Sequence, residues 1–200
     1  MPNDAPVQLA NPFAHFDTWF ADATASEPCD ANAMTLATTT PDGAPSARIV
    51  LLKGVDPRGF VFYTNKQSRK GEELAANPRA ALLFHWKSLQ RQIRIEGDVE
   101  DVTDAEADAY FATRHPLSRI GAWASDQSRP LPDRAMLERR VAEVRARYPD
   151  DTHIPRPSYW SGYRLLPEVF EFWQDMPFRL HDRTVYRRSG DRWETLKLFP

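Results

Sequence analysis

One cysteine, Cys29, stands in 200 residues. No disulfide can form within the chain, and a thiolate-built metal site is not expected. Histidine is also sparse. His15, His85, His115, His153 and His181 show neither H-x-H nor H-x-x-x-H spacing, so a histidine-rich metal centre has no support. No run approaches the 18 apolar residues of a membrane span, and the first residues, MPNDAPVQLANPF, lack the basic-then-apolar order of a secretory signal. The reading is a soluble, cytoplasmic protein. A basic excess is missing too: the formal net charge is −2, which argues against a general nucleic-acid binder. Any anion site must be a local concentration of charge. G-x-G-x-x-G, the Walker A loop and G-x-S-x-G are all absent. Glycines number eight against seventeen prolines, which predicts many fixed turns.

What is present suffices for one domain over residues 1–200. Apolar residues make up 42% and aromatics 12%, enough for a core. Residues 1–10 read as a flexible arm. Phe13, Phe16, Trp19 and Phe20 recur at helical spacing and predict an amphipathic helix ending near Ala25, its stripe facing the core. Strands are predicted at Met34 to Thr40, Ala47 to Lys53 and Phe60 to Thr64, with turns at Pro41–Gly43 and Asp56–Gly59; their order reads as an antiparallel meander. Ser68 reads as the cap of a helix over Arg69–Ala76, stopped by Asn77 and Pro78. Strands follow at Ala80–Trp86 and Leu89–Val99, the latter placing Gln90, Gln92, Arg94 and Glu96 on one face. Thr103 and Glu106 form a capping box for a helix to about Arg114. Residues 115–131, with Pro116 and Pro130, read as largely loop, and a further helix is predicted over Pro132–Arg147. From Tyr159 to Leu198 strands alternate with turns, including the hairpin signal Ser189–Gly190–Asp191. Clustered strands predict a mainly β architecture with peripheral helices, an antiparallel α+β sheet closed or partly closed, rather than a parallel one.

Basic and hydroxyl side chains fall in four places. Arg48 and Lys53 bracket the run IVLL; five apart, they take opposite faces of an ideal strand, so at least one acts from a strand end. Arg69 and Lys70 open the helix capped by Ser68, where free N–H groups favour an anion; a phosphate site and an exposed basic turn both remain open. Tyr110 and Arg114 share a helix face with Ser118 nearby, readable as a phosphate grip or as a surface stack. Arg179, His181 and Arg183 alternate in FEFWQDMPFRLHDR. On one strand they would share a face, opposite Leu180 and Asp182, as an anion wall or a solvated edge.

Five stretches in order, ARIVLLK (47–53), FYTNKQSRKG (62–71), RQIRIEG (91–97), SRIGAWASDQS (118–128) and FEFWQDMPFRLHDR (170–183), make the chain resemble the pyridoxamine 5′-phosphate oxidase family from about Met34 to Pro200. The resemblance implies an FMN-binding split β-barrel of Greek-key type, a homodimer, and FMN at the subunit interface. It implies FMN binding by Arg48, Ile49, Val50, Leu51, Leu52, Lys53, Tyr63, Thr64, Arg69, Lys70, Gln92, Gln127, Ser128, Trp173 and Arg183. It implies a substrate phosphate held by Lys53, Tyr110, Arg114 and Ser118, with Arg179, Leu180 and His181 at the substrate and Arg179 and His181 catalytic. The implied reaction oxidises pyridoxamine or pyridoxine 5′-phosphate to pyridoxal 5′-phosphate, with O₂ as acceptor. A phenazine-pathway type of oxidase on the same barrel and a non-catalytic FMN or pyridoxal-phosphate binder are the alternatives. Two departures stand out. Asp175 and Met176 follow Gln174 where the family usually has Gly; Asp175 reads as a solvent-facing turn residue, with an acidic group beside the site that alters substrate preference or affinity as the alternative. The N-terminal arm lacks the Arg-Arg-x-Tyr lid of some members, which implies weaker or different closure over the substrate.

Overall fold

The computed structural model describes residues 11–150 and 153–200. The expected arm at 1–10 lies outside them. A nine-stranded antiparallel sheet dominates, ordered β2-β1-β5-β6-β7-β4-β3, with β8 and β9 continuing from β7. The strands are β1 (Ala33–Thr39), β2 (Pro45–Leu51), β3 (Gly54–Asp56), β4 (Gly59–Asn65), β5 (Arg79–Trp86), β6 (Arg91–Asp101), β7 (Trp160–Gln174), β8 (Asp182–Ser189) and β9 (Arg192–Lys197). The helices are α1 (Pro12–Ser26), α2 (Arg69–Ala76), α3 (Asp104–Thr113), α4 (Pro116–Ala124) and α5 (Arg134–Arg147).

One local fact forces the sheet to curl. β2 and β3 lie at opposite ends of the strand order, yet only Leu52 and Lys53 join them. Three Cα–Cα steps reach roughly 11 Å at most, so the two edges must come together. The seam is held by backbone bonds: Leu52 N–H donates to Asn32 O at 2.9 Å and Lys53 N–H to Val61 O at 2.8 Å. A half-barrel results, with Lys53 at its seam. This corrects the expected meander. β1 and β2 form its hairpin, but β4 pairs with β3 and β7, across the sheet from β2.

The interior is aromatic. Phe16, Phe60, Phe62, Phe84, Phe170 and Phe172 are all at most 2% exposed. α1 lays its stripe across them, Phe16 meeting Phe60 edge-on at 4.9 Å and Phe84 at 5.4 Å. Each such ring removed from water contributes about 1.5–3 kcal/mol. The long β7 serves two neighbours. Its Pro167 stands opposite Gly97, where the β6 register slips in a bulge. A proline without a ladder N–H is tolerated at such a bulge. A Cβ on Gly97 would sit 1.9 Å from Leu166 O, so only glycine fits there.

Local signals act as read at the helix starts. Ser68 Oγ accepts from Gly71 N–H, and the Thr103–Glu106 capping box closes in both directions. The hairpin between β8 and β9 turns at Gly190, φ 61°. Three expectations fail. Residues 115–131 contain α4; Pro116 occupies its first turn, where a proline starts a helix rather than breaking one, and His115 Nδ1 accepts from Leu117 N–H as its cap. Gln90 is not in β6 but in the preceding turn, at φ 54°. Arg179, His181 and Arg183 do not share a strand face. Arg179 lies in a 3₁₀ turn (Pro177–Arg179) at φ 63°, His181 in the following coil, and only Arg183 in β8.

Candidate active site

The β2 edge, the end of β4, the start of α2, the end of α3 and the face of α4 surround a cleft of about 920 Å³. Arg48, Ile49, Val50, Leu51, Lys53, Tyr63, Thr64, Lys70, Tyr110, Arg114, Ser118 and Gln127 all line it, alongside Asn65, His115 and Trp160. No aspartate or glutamate stands among its described lining residues. Four cations without a facing carboxylate define a site for anions.

Each cation has a distinct support. Arg48 is seated from behind: Nη2 donates to Glu73 Oε2 at 3.0 Å, and Nη1 donates to Leu36 O at 3.2 Å and to Thr38 Oγ1 at 2.5 Å. Glu73 is 5% exposed. Burial pushes its carboxyl up, but bonds from Thr38, Ser46, Arg69 and Arg48 outweigh burial and hold it at about 2. Lys70 Nζ donates to Gln127 Oε1 at 3.0 Å, which also accepts from Thr64 Oγ1 at 3.1 Å. Burial, then the nearby Arg48 guanidinium, lower the Lys70 pKa, while Glu73 opposes them. Lys53 comes from the seam, past the end of β2, as the spacing of Arg48 and Lys53 required of one of them.

Arg114 ends α3 with its guanidinium 4.6 Å from the Trp160 ring centre. Burial lowers its pKa, and its Nη1 is buried without a hydrogen-bond partner. A buried, unpartnered guanidinium nitrogen is costly unless an anion meets it. Tyr110 stacks on Tyr63 at 4.0 Å and 12°, and Trp160 lies parallel to Tyr63 at 5.5 Å. The stack exists because Tyr63 pairs with Gly162, where a Cβ would stand 2.6 Å from the ring. Ser118, in the first turn of α4, completes the wall beside Arg114.

Nine residues of the sequence-derived set lie off this cleft, three of them at scattered positions. The Leu52 side chain is in the core, Arg69 donates to Glu73 Oε1 at 2.8 Å from the exposed side of α2, and Ser128 is an exposed turn residue at φ 71°. The remainder gathers around Trp173. A cleft of about 650 Å³ is lined by Trp173, Arg179 and His181 with Gln90, Asp175 and Met176; a smaller one of about 290 Å³ by Gln92, Trp173 and Arg183 with Glu171 and Arg94. Leu180, 68% exposed, lines neither. Buried Glu171 is shared by Arg94 Nη2 at 2.7 Å and Arg183 Nη2 at 2.6 Å. The Trp173 group shares no lining residue with the large cleft. One chain thus carries two separate parts of the expected site.

Glu73, Thr38, Glu171 and Trp160 were not found from the sequence. Only Glu73 carried a usable signal, four residues after Arg69 on α2. Asp175 does not face solvent alone. Its Oδ1 stands 2.9 Å from His181 Nδ1, which corrects the reading of a plain turn residue.

Residues 20–148 match a family model described as pyridoxamine 5′-phosphate oxidase, and residues 160–200 one described as the pyridoxine 5′-phosphate oxidase C-terminal dimerisation region. Curated relatives named pyridoxine/pyridoxamine 5′-phosphate oxidase include that of Gluconobacter oxydans, 64% identical over 96% of this chain and 95% of its own length. That of Rhodospirillum rubrum is 61% identical over 95% and 96%. Among solved structures, PhzG from Burkholderia lata, in complex with tetrahydrophenazine-1-carboxylic acid, aligns with TM-score 0.90 at 34% identity, covering 100% of this chain and 97% of that one. A pyridoxamine 5′-phosphate oxidase-related, FMN-binding protein from Nostoc punctiforme shares the fold at TM-score 0.75 and 17% identity.

Proposed function

We propose, for a chain that belongs to the pyridoxamine 5′-phosphate oxidase family, that it oxidises pyridoxamine and pyridoxine 5′-phosphates to pyridoxal 5′-phosphate with bound FMN and O₂. The alcohol plus O₂ yields the aldehyde and H₂O₂; the amine also consumes water and releases ammonia. The observation that carries this reading is the acid-free cationic cleft with the orphaned Arg114 Nη1. Four cations suit the two charges of a phosphate ester better than the single carboxylate of a phenazine acid.

The cleft offers two anion seats. Arg48, Lys53 and Lys70, with Thr64 and Gln127, suit the flavin phosphate and ring; Lys53 with Tyr110, Arg114 and Ser118 suits the substrate phosphate. Glu73 keeps Arg48 aimed while neutralising part of its charge from the core side. The Tyr63–Tyr110–Trp160 stack supports Arg114 and excludes water from one side. A bound flavin supplies the two-electron acceptor that the side chains lack. Gln92, Trp173 and Arg183, with Arg179 and His181, complete the site from a second copy, since within one chain they line other clefts. The dimerisation region matched at 160–200 spans four of these five residues, Gln92 being the exception. Arg179 orients the substrate and stabilises charge at the reacting carbon; His181 orients it or moves a proton.

The test is spectroscopic. The purified protein should be yellow or become so with FMN, bleach with pyridoxine phosphate under anaerobic conditions, and recover with O₂, leaving pyridoxal phosphate. A colourless protein that cannot be reconstituted overturns the proposal, and bleaching by a dihydrophenazine acid but by neither phosphate ester moves it to the phenazine type. Arg179→Ala should lower kcat by about 10²-fold or more with FMN content unchanged; loss of FMN alongside activity refutes that division of roles.

A further inference from the structure

The segment between β7 and β8 holds its histidine against its own turn. His181 Nδ1 meets two groups from one turn: Asp175 Oδ1 at 2.9 Å and the Met176 N–H at 3.3 Å. The first needs a proton on Nδ1 and the second a lone pair, so the two contacts exclude each other. The carboxylate contact is shorter and charged, which favours the Nδ1–H form. Nε2 has no hydrogen-bond partner among the described residues and is the nitrogen left for a ligand in the cleft shared with Arg179.

The seat is built rather than accidental. The Trp173 ring lies 4.6 Å from the imidazole, and the His181 side chain is only 19% exposed. Asp175 N–H donates to Gln90 O at 3.0 Å, and Gln174 Nε2 donates to Leu89 O and Gln90 O, both at 3.2 Å. The turn is therefore docked on the chain just before β6. Phe178 and Arg179 hold φ of 61° and 63° in succession, a conformation that side chains other than glycine resist. Strain of this kind persists where surrounding contacts impose it.

We propose that Asp175 is a positioning residue: it holds the proton of His181 on Nδ1 and so presents the Nε2 lone pair to the substrate. This rests on the functional reading above. Nε2 then accepts a hydrogen bond from the amine or hydroxyl of the substrate. Asp175 itself, with a side chain 38% exposed, adds little to folding stability.

Two measurements decide it. In the FMN-loaded protein, Asp175→Ala should lower kcat by roughly 10–100-fold, the worth of one hydrogen bond to a charged group, with KM, flavin content and Tm nearly unchanged, and Asp175→Glu should recover part of the loss. In the ¹⁵N spectrum of histidine-labelled protein, with the His181 signal assigned by its loss in His181→Asn, the wild type should show Nδ1 protonated and Asp175→Ala should move the proton to Nε2. An Nε2–H ring in the wild type overturns the proposal, as does unchanged kcat in Asp175→Ala. A lower kcat with an unmoved ring signal overturns it too, since Asp175 would then act directly. If the wild type oxidises neither phosphate ester, the functional reading falls, while the ring spectrum still decides what Asp175 does.

Discussion

At the scale of single residues, the site depends on acids placed behind its cations. Arg48 was legible as a cation beside an apolar strand, but its partner Glu73 lies 25 positions away on α2. A local reading has no way to join the two. Removing one member of a buried pair leaves the other charged and unpaired, which costs several kcal/mol. Glu73→Ala should therefore destabilise the protein by about 3 kcal/mol in denaturant titration, and weaken FMN binding because Arg48 loses its anchor. The pH dependence has a fixed sign. The folded carboxyl sits at about 2, below its ordinary 4.5, so its contribution is complete above 4.5 and is lost as pH falls toward 2. Unfolding titrations across that window should show a shallower acid loss in Glu73→Gln than in the wild type.

Secondary elements place these residues through contacts that sequence periodicity reports unevenly. α1, α2 and α3 announced themselves by an aromatic stripe, a Ser cap and a capping box, all interactions within one or two turns. α4 was hidden because its two most visible residues, His115 and Pro116, resemble loop residues until the cap geometry is known. The segment 177–181 was misread for a related reason. Alternation predicts a strand face only where the backbone is extended, and Phe178 and Arg179 are left-handed. Elements also meet through one small residue. Gly162 on β7 lets the Tyr63 ring of β4 lie flat beneath Tyr110. Gly162→Ala should displace that ring, lower stability by about 1–3 kcal/mol, and raise KM for the phosphate ester more than it weakens FMN binding. Thermal melts and steady-state kinetics check both parts.

For the whole molecule, the separation of the expected site residues into two groups predicts that activity requires assembly. Apolar side chains at or beside both groups are left open: Ile49 is 65% exposed, Leu180 68% and Phe178 93%. Exposed apolar groups at binding surfaces mark contacts with a partner, and the matched dimerisation region contains Phe178 and Leu180. Ile49→Asp should shift light-scattering mass from dimer to monomer and release FMN together with the loss of mass. A monomer that retains FMN and turns over would contradict a shared site.

Some of this follows from the chain alone. The helix caps, the Gly190 hairpin, the aromatic face of α1 and the cationic character of 47–53 and 69–70 depend on neighbours within a few positions, so residue order determines them. Tertiary structure decided the rest. The two-residue link at Leu52–Lys53 rolls the sheet until its edges meet, and only then do Arg48, Lys70 and Arg114 face one cleft. The same folding pairs Glu73 with Arg48 and seats His181 against Asp175 and Trp173, while leaving Arg179, His181 and Arg183 in clefts apart from the large one. These relations depend on distance in space between residues far apart in the chain, or on backbone turns, and no periodicity encodes either.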